Sequence, residues 1–219
     1  MNILDIGCGR GTLAFFLASN FDVDITGCDF SPRMIEQAEL DMTKLGFDKK
    51  KMRFYVEDVT KILNSSTLEN SKFDIVITER VIINLDSWEE QKKAIQDIMN
   101  FVKPNGSYLM CENLQEGLDN LNILRNKMNL ETIKQPWHNR YLVESEVDEI
   151  NNVTIADKID FSSTYYFFSR IINAAVAEKS GNNPEYDSPI NTASFEIKDY
   201  IDLSSINIGQ SRLWVIKNT

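Results

Sequence analysis

No apolar run in this sequence approaches the length of a membrane span. Cysteine is scarce, and Cys8, Cys28 and Cys111 form no C-x-x-C pair, which leaves neither a zinc knuckle nor a disulfide frame. All three lie in or beside expected strands and read as reduced, buried residues of a cytoplasmic protein. Positive charge is also short. With 23 basic against 33 acidic residues the formal charge is −10, which argues against DNA or RNA, because phosphate binding needs a basic face. A small molecule fits that balance. Histidine is nearly absent, and His138 is the only one. Repeats and low-complexity tracts are missing too, so 219 residues amount to one α/β domain with a modest insertion.

What the chain does have is concentrated at its start, MNILDIGCGRGTLAFFLA. Ile3, Leu4 and Ile6 make the short apolar run of a buried parallel strand. Gly7, Gly9 and Gly11 permit positive φ and close backbone approach. From Thr12 the spacing turns helical, with Leu13, Phe16 and Leu17 expected on one face. A strand feeding a glycine turn that opens a helix suits a nucleotide-like ligand.

The pattern continues. DVDITGCDF reads as a second strand ending near Asp29, and Ser31-Pro32 opens a helix that Gly46 stops. MRFYV is a third strand, followed by a polar stretch of helical tendency over 60–71, and FDIVIT is a fourth. Ser87 and Glu90 form a capping box before a helix to about Asn100, KPNG turns the chain, and SYLMCE is a fifth strand. A helix over 116–128 and two late strands, VTIADKIDF and SRLWVIKN, complete the series. Such alternation predicts a doubly wound, Rossmann-like, mostly parallel α/β sheet with ligand sites at the carboxyl ends of its strands. Between the late strands, a helix over 164–179, a loop and a weaker helix are too much chain for the sheet. They predict a helical cap, residues 162–202, inserted between the last two strands and covering the strand ends.

ILDIGCGRGTLAFFLA resembles the first motif of class I S-adenosylmethionine-dependent methyltransferases, and GCDFSPRMIEQA, VEDV, FDIVITERVIINL and FVKPNGSYLMCEN follow in that family's order. A looser likeness joins NLDSWEEQKKAI, GLDNLNILR and PWHNRYL to small-molecule methyltransferases of bacterial polysaccharide gene clusters. The resemblance implies a seven-stranded sheet, S-adenosylmethionine as cofactor, and methyl transfer to an oxygen, less readily a nitrogen, of a sugar or a phosphorylated or nucleotide-linked metabolite. It implies a cofactor set of Asp5, Gly7, Cys8, Gly9, Gly11, Asp29, Phe30, Met34, Asp58, Val59 and Glu79. Asp29 would accept the ribose hydroxyls and Phe30 would pack on adenine or ribose. Asp58 would take the adenine amino group and the Val59 amide a ring nitrogen, while Asp5, Gly7 and the Glu79 carbonyl hold the methionine end. Without cofactor, Asp58 would simply cap the segment after it. Relatives of this kind carry a helical segment ahead of the first motif; here the first strand begins at about residue 2, so either that segment is absent or Met1 is an internal methionine of a longer natural chain.

For the acceptor, His138 in PWHNRYL has the reference pKa of a neutral-pH base, and Arg140 could hold an anion or simply pair with Glu144 or Glu146. Tyr141, Tyr165 and Tyr166 are the remaining acceptor-side candidates, with core packing as the alternative, and Arg170 shares a helix face with Tyr166. Glu112 and Asn113 stand at the right sheet edge, and Asn84 sits behind strand four where relatives carry histidine. The partners expected are a small-molecule acceptor and, at most, a second copy of the chain. A nicotinamide enzyme is the first rival, but its G-x-G-x-x-G wants Gly or Ala where this chain has Thr12. A non-catalytic, cofactor-binding subunit supporting a partner enzyme is the second.

Overall fold

The computed structural model describes residues 1–218. Its strands form a seven-stranded sheet in the order β3-β2-β1-β4-β5-β7-β6, with a helical insertion between β6 and β7 as the sequence predicts. The chain divides into two compact units. The first comprises Met1–Glu112, Ile150–Asp157 and Trp214–Thr219, and the second Asn113–Glu149 and Lys158–Leu213.

In the first unit β1 (Asn2–Ile6) lies between β2 (Asp24–Asp29) and β4 (Phe73–Glu79), parallel to both, and β3 (Met52–Val56) pairs with β2. Their apolar side chains meet α1 (Thr12–Asn20) and α2 (Pro32–Leu45) in a core that includes Ile3, Val23, Ile25, Met52 and Phe54. Helix α2 follows its sequence cues. Pro32 opens it, Ile35, Ala38 and Met42 make its buried face, and Gly46 ends it in the left-handed conformation at φ 76°. Helix α1 does not follow the expected face. Leu17 packs inward as expected, but Phe16 is 60% exposed and Ala14, Phe15 and Ala18 take the inward positions beside Leu17. The glycine turn sets the helix phase here, because Gly11 at φ 81° leaves no room for a Cβ between Phe54 and Phe15.

The polar stretch after β3 forms a 3₁₀ helix over Val59–Asn64, shorter than expected. Helix α3 (Trp88–Met99) has Ser87 Oγ accepting from the Glu90 N–H at 3.2 Å, and the Glu90 carboxylate reaches the Asp86 N–H rather than that of Ser87. Strand β5 (Val102–Asn113) begins five residues before the predicted SYLMCE, because the KPNG turn is absorbed as an irregularity in its pairing with β4, with Asn105 at φ 63°. Strands β6 (Thr154–Ile159) and β7 (Ser211–Lys217) run close to prediction.

The second unit is mostly helical: α4 (Gln115–Lys127), α5 (Glu144–Asp148), α6 (Ser163–Tyr166), α7 (Asn173–Lys179) and α8 (Pro189–Ile197). The single helix expected over 164–179 is interrupted by a π-helical turn, Phe167–Ile172. Leu121, Ile171 and Ile208 form its small core with Tyr166 and Phe167 packed against them. Among the described residues no helix is long and apolar enough to cross a membrane. Gly117 on α4 meets the chain at Gly209, where a Cβ would lie 2.1 Å from the carbonyl oxygen. Backbone cannot yield as a side chain does, so Gly117→Ala should cost about 1–3 kcal/mol, read as a fall of several degrees in melting temperature.

Candidate active site

At the carboxyl ends of β1 to β4 the first unit encloses a cleft of about 410 Å³. The glycine turn forms one side. The amides of Gly7 and Cys8 both donate to the Cys28 carbonyl, at 2.7 and 2.9 Å, which pins the turn to the end of β2. A Cβ on Gly7 would fall 2.2 Å from a Val81 methyl, so glycine is required for the turn after β4 to close on it. Asp29, 8% exposed, takes the Gly9 N–H at 3.0 Å on one oxygen and the Ser31 N–H at 2.9 Å on the other. It therefore organises the turn as well as facing the cleft, and Ser31 caps α2 by its position without a side-chain bond.

Phe30, Glu57, Asp58 and Val59 line the cleft beside Asp29. Phe30 is 78% exposed at the edge of the cleft. Asp58 does cap the segment after it, as the alternative reading has it, with one oxygen accepting the Thr60 N–H at 2.9 Å and hydroxyl at 2.7 Å. It lines the cleft all the same, so the two readings are compatible. Cys8 is different: its side chain packs in the core, and burial pushes the thiols of Cys8 and Cys28 well up. The Cys8 backbone serves the turn, and its thiol donates within it to the Gly9 carbonyl at 3.7 Å.

Beneath the turn lies Asp5, 2% exposed. Its Oδ2 is buried without a hydrogen-bond partner. Burial first, then the carboxylates of Glu79 and Asp29, push its pKa up to about 7. A buried acceptor without a donor is costly, and a cationic donor entering the cleft would relieve it.

The fourth side of the cleft is the turn after β4, with Arg80, Val81, Asn84 and Leu85. Glu112, at the end of β5, is fully buried and accepts the Val81 and Ile82 N–H groups at 3.1 Å on one oxygen and that of Ile83 at 3.3 Å on the other. Burial raises its pKa to about 7 against the pull of those three amides. Sequence reading places Glu112 at the correct edge but does not find this role, and it misses Arg80 altogether. The available signal for Arg80 is a cation directly after β4 in a site otherwise lined by carboxylates.

The acceptor-side candidates all lie in the second unit. His138 is exposed beside Trp137, their rings edge-to-face at 5.4 Å. Arg140 grips both oxygens of Glu146, at 2.7 and 2.9 Å, which is the alternative raised for it. The Tyr141 hydroxyl donates to Gln210 at 3.3 Å. Tyr166 is half-buried under Arg170, and burial raises its pKa. Tyr165 packs on Phe195 at 4.6 Å between ring centres.

Residues 1–154 match the family of methyltransferase domains, which covers β1 to β5 and the whole cleft. The chain belongs to that family. It is similar to phosphoethanolamine N-methyltransferase 3 of Arabidopsis thaliana, 30% identical over 110 residues, half of this chain and 20% of that one. A wheat (Triticum aestivum) phosphoethanolamine N-methyltransferase is 24% identical over 204 residues, 92% of this chain and 36% of the relative. The chain spans about half, or less, of the curated relatives it matches. Among solved structures, the [4+2]-cyclase SpnF superposes with a TM-score of 0.62 at 20% identity, over 99% of this chain and 73% of that one. A sarcosine dimethylglycine methyltransferase fold from Galdieria sulphuraria gives 0.59 at 14% identity, over 100% and 78%. At those identities the solved structures establish the fold.

Asp5 generates a pH test of the free protein. A carboxyl whose folded pKa lies above its unfolded value holds extra protons in the folded state. Its stability contribution is complete below about 4 and lost as pH rises toward about 7. Asp5→Asn cannot ionise, so melting curves across that window should show the variant gaining on the wild type by up to roughly 1.4 kcal/mol per pH unit. A constant difference would mean that Asp5 is already ionised at low pH.

Proposed function

We propose that the chain binds S-adenosylmethionine in this cleft and transfers its methyl group to an oxygen of a small molecule. The acceptor class is a sugar, or a phosphorylated or nucleotide-linked metabolite of surface polysaccharide synthesis. The observation that carries the cofactor assignment is the orphaned, buried Asp5 oxygen under a glycine turn. The ammonium of the cofactor's methionine end is the cationic donor it lacks. Asp5, the Gly7 backbone and the Glu79 carbonyl would hold that end. Asp29 would keep its bonds to Gly9 and Ser31 and offer its remaining lone pairs to the ribose hydroxyls. Phe30 and Met34 would pack on the adenosine, with Asp58 and the Val59 amide reading the adenine edge.

When bound, the cofactor supplies a methyl group already activated by its positive sulfur. The protein then has to align the acceptor and remove a proton from it. We assign proton removal to His138, which is exposed and neighboured by the Trp137 ring, and leave Arg140 to its pair with Glu146. Tyr141, Tyr165 and Tyr166 are read as shaping the acceptor side. The relatives' names support methyl transfer in general and include both nitrogen and oxygen acceptors, as with the O-methyltransferase of Pyrenophora dematioidea, 30% identical over 113 residues, 52% of this chain and 39% of that one.

Titration calorimetry with S-adenosylhomocysteine tests the cofactor assignment. The full chain should bind it, and Asp29→Ala should lose about 1–3 kcal/mol, because a ribose would lose its charged acceptor and the turn its anchor. No binding by the wild type would end the reading. For the base, His138→Ala should lower turnover about 10²–10⁴-fold with S-adenosylhomocysteine affinity unchanged. Binding without turnover across a panel of acceptors, using methyl-labelled cofactor, would favour the non-catalytic subunit.

A further inference from the structure

Among the described residues six that are not glycine have positive φ, and five of them are asparagines, the residue type that after glycine visits the left-handed region most cheaply. The sixth is Arg80, at φ 55°. Its backbone is held there from three directions. The Arg80 N–H donates to the Cys111 carbonyl at 2.9 Å, the Asn84 side chain donates to the Arg80 carbonyl at 2.6 Å, and Glu112 fixes the next three amides. A strained residue that persists under so much support points to a use for its side chain.

Among the described residues that side chain is the only cation lining the cleft, beside Asp29, Glu57 and Asp58. Among the described residues no hydrogen bond or ion pair engages the guanidinium. The acidic residues each have work: Asp29 binds amides, Glu57 accepts from the Ser65 hydroxyl, and Asp58 caps a turn. Arg80 has none. We infer that Arg80 receives the oxyanion of the methyl acceptor, a phosphate or carboxylate. This rests on the cofactor reading above and narrows its acceptor class to anionic molecules. A guanidinium on a fixed backbone is suited to that task, since its fork matches two oxygens of such a group and the turn that carries it is already ordered. Arg140 is not equivalent, because Glu146 already occupies it.

One other anion could claim Arg80, the carboxylate of the cofactor's own methionine end, and the experiment separates the two. The full chain is saturated with S-adenosylhomocysteine, and the arginine Nε–Hε resonances are followed by NMR, with that of Arg80 identified by its loss in Arg80→Gln. Phosphoethanolamine and inorganic phosphate should each move the Arg80 resonance saturably, while ethanolamine, the same amine without the anion, should not. By calorimetry Arg80→Gln should bind phosphoethanolamine about ten-fold more weakly or worse, with S-adenosylhomocysteine affinity held within about three-fold. Arg80→Gly, free to adopt the same φ, should lose the phosphate affinity yet melt no lower than wild type. Protein that binds S-adenosylhomocysteine but shows no saturable response to either phosphate probe overturns the inference. So does a ten-fold loss of S-adenosylhomocysteine affinity in Arg80→Gln, which would give the guanidinium to the cofactor. Failure of the wild type to bind S-adenosylhomocysteine at all is a different result, and overturns the cofactor reading together with this one.

Discussion

Three successive backbone N–H groups, those of Val81, Ile82 and Ile83, open the turn after β4 without helical partners, and the buried carboxylate of Glu112 is what satisfies them. The rest of the cleft follows from that bond set. With the amides gathered at the end of β5, the Val81 side chain is directed onto Gly7, which is why no Cβ fits there. Arg80 is forced through the left-handed region to enter the turn, and Asn84 closes behind it on the Arg80 carbonyl. Burying a carboxylate is expensive, and its raised pKa records that cost. Three amide donors offset part of it, and a wall of fixed geometry is the return.

The cleft gathers negative charge to an extent that makes sense only with a ligand. Burial, and then the neighbouring carboxylates of Glu79 and Asp29, raise the proton affinity of Asp5. Left to stability alone, an apolar residue at position 5 would serve β1 better, because it would bury without penalty next to Leu4 and Ile6. An ionisable group buried in a strand next to the cleft-lining Ile6 and Gly7, with one oxygen lacking a donor, is the pattern expected where a cationic ligand completes the structure. Asp29 shows the same economy from the other direction. Its two amide bonds make it part of the turn's architecture, so ligand affinity and local order are coupled through one carboxylate.

Much of the first unit was legible in the sequence because its signals are local. Apolar runs bounded by glycine, Ser31-Pro32, Gly46 and the Ser87 cap each act within a few residues, and the strands and helices fall where these place them. What was not legible depends on contacts distant in sequence. The face of α1 is set by Phe54 and Phe15 crowding Gly11, not by its own periodicity, so Phe16 turns outward. The early start of β5 depends on pairing Val102 with Phe73, which a Pro-Asn-Gly run conceals. The π turn at Phe167–Ile172 and the short helix α5 carry no residue pattern of their own. In the site, the glycines and Asp29 announced themselves through spacing. Glu112 gained its amide partners, and Arg80 its strained backbone beside the Cys111 carbonyl, only when β4 and β5 came side by side.

The division between legible and hidden residues has a physical basis in the ligands themselves. A cofactor with a constant shape can be met by backbone and by acids at fixed strand ends, which leaves a recurrent spacing. An acceptor is met by side chains on turns and inserted helices, where many sequences place an equivalent group. Arg80 lies at the border between these two regimes. It sits on a strand end fixed like the cofactor elements, yet its charge opposes that of every other ionisable residue lining the cleft. The backbone strain at that position gives selection a reason to prefer glycine or asparagine there. Arginine at that position carries a backbone cost that glycine or asparagine would not, and the acceptor oxyanion inferred above is what would offset it.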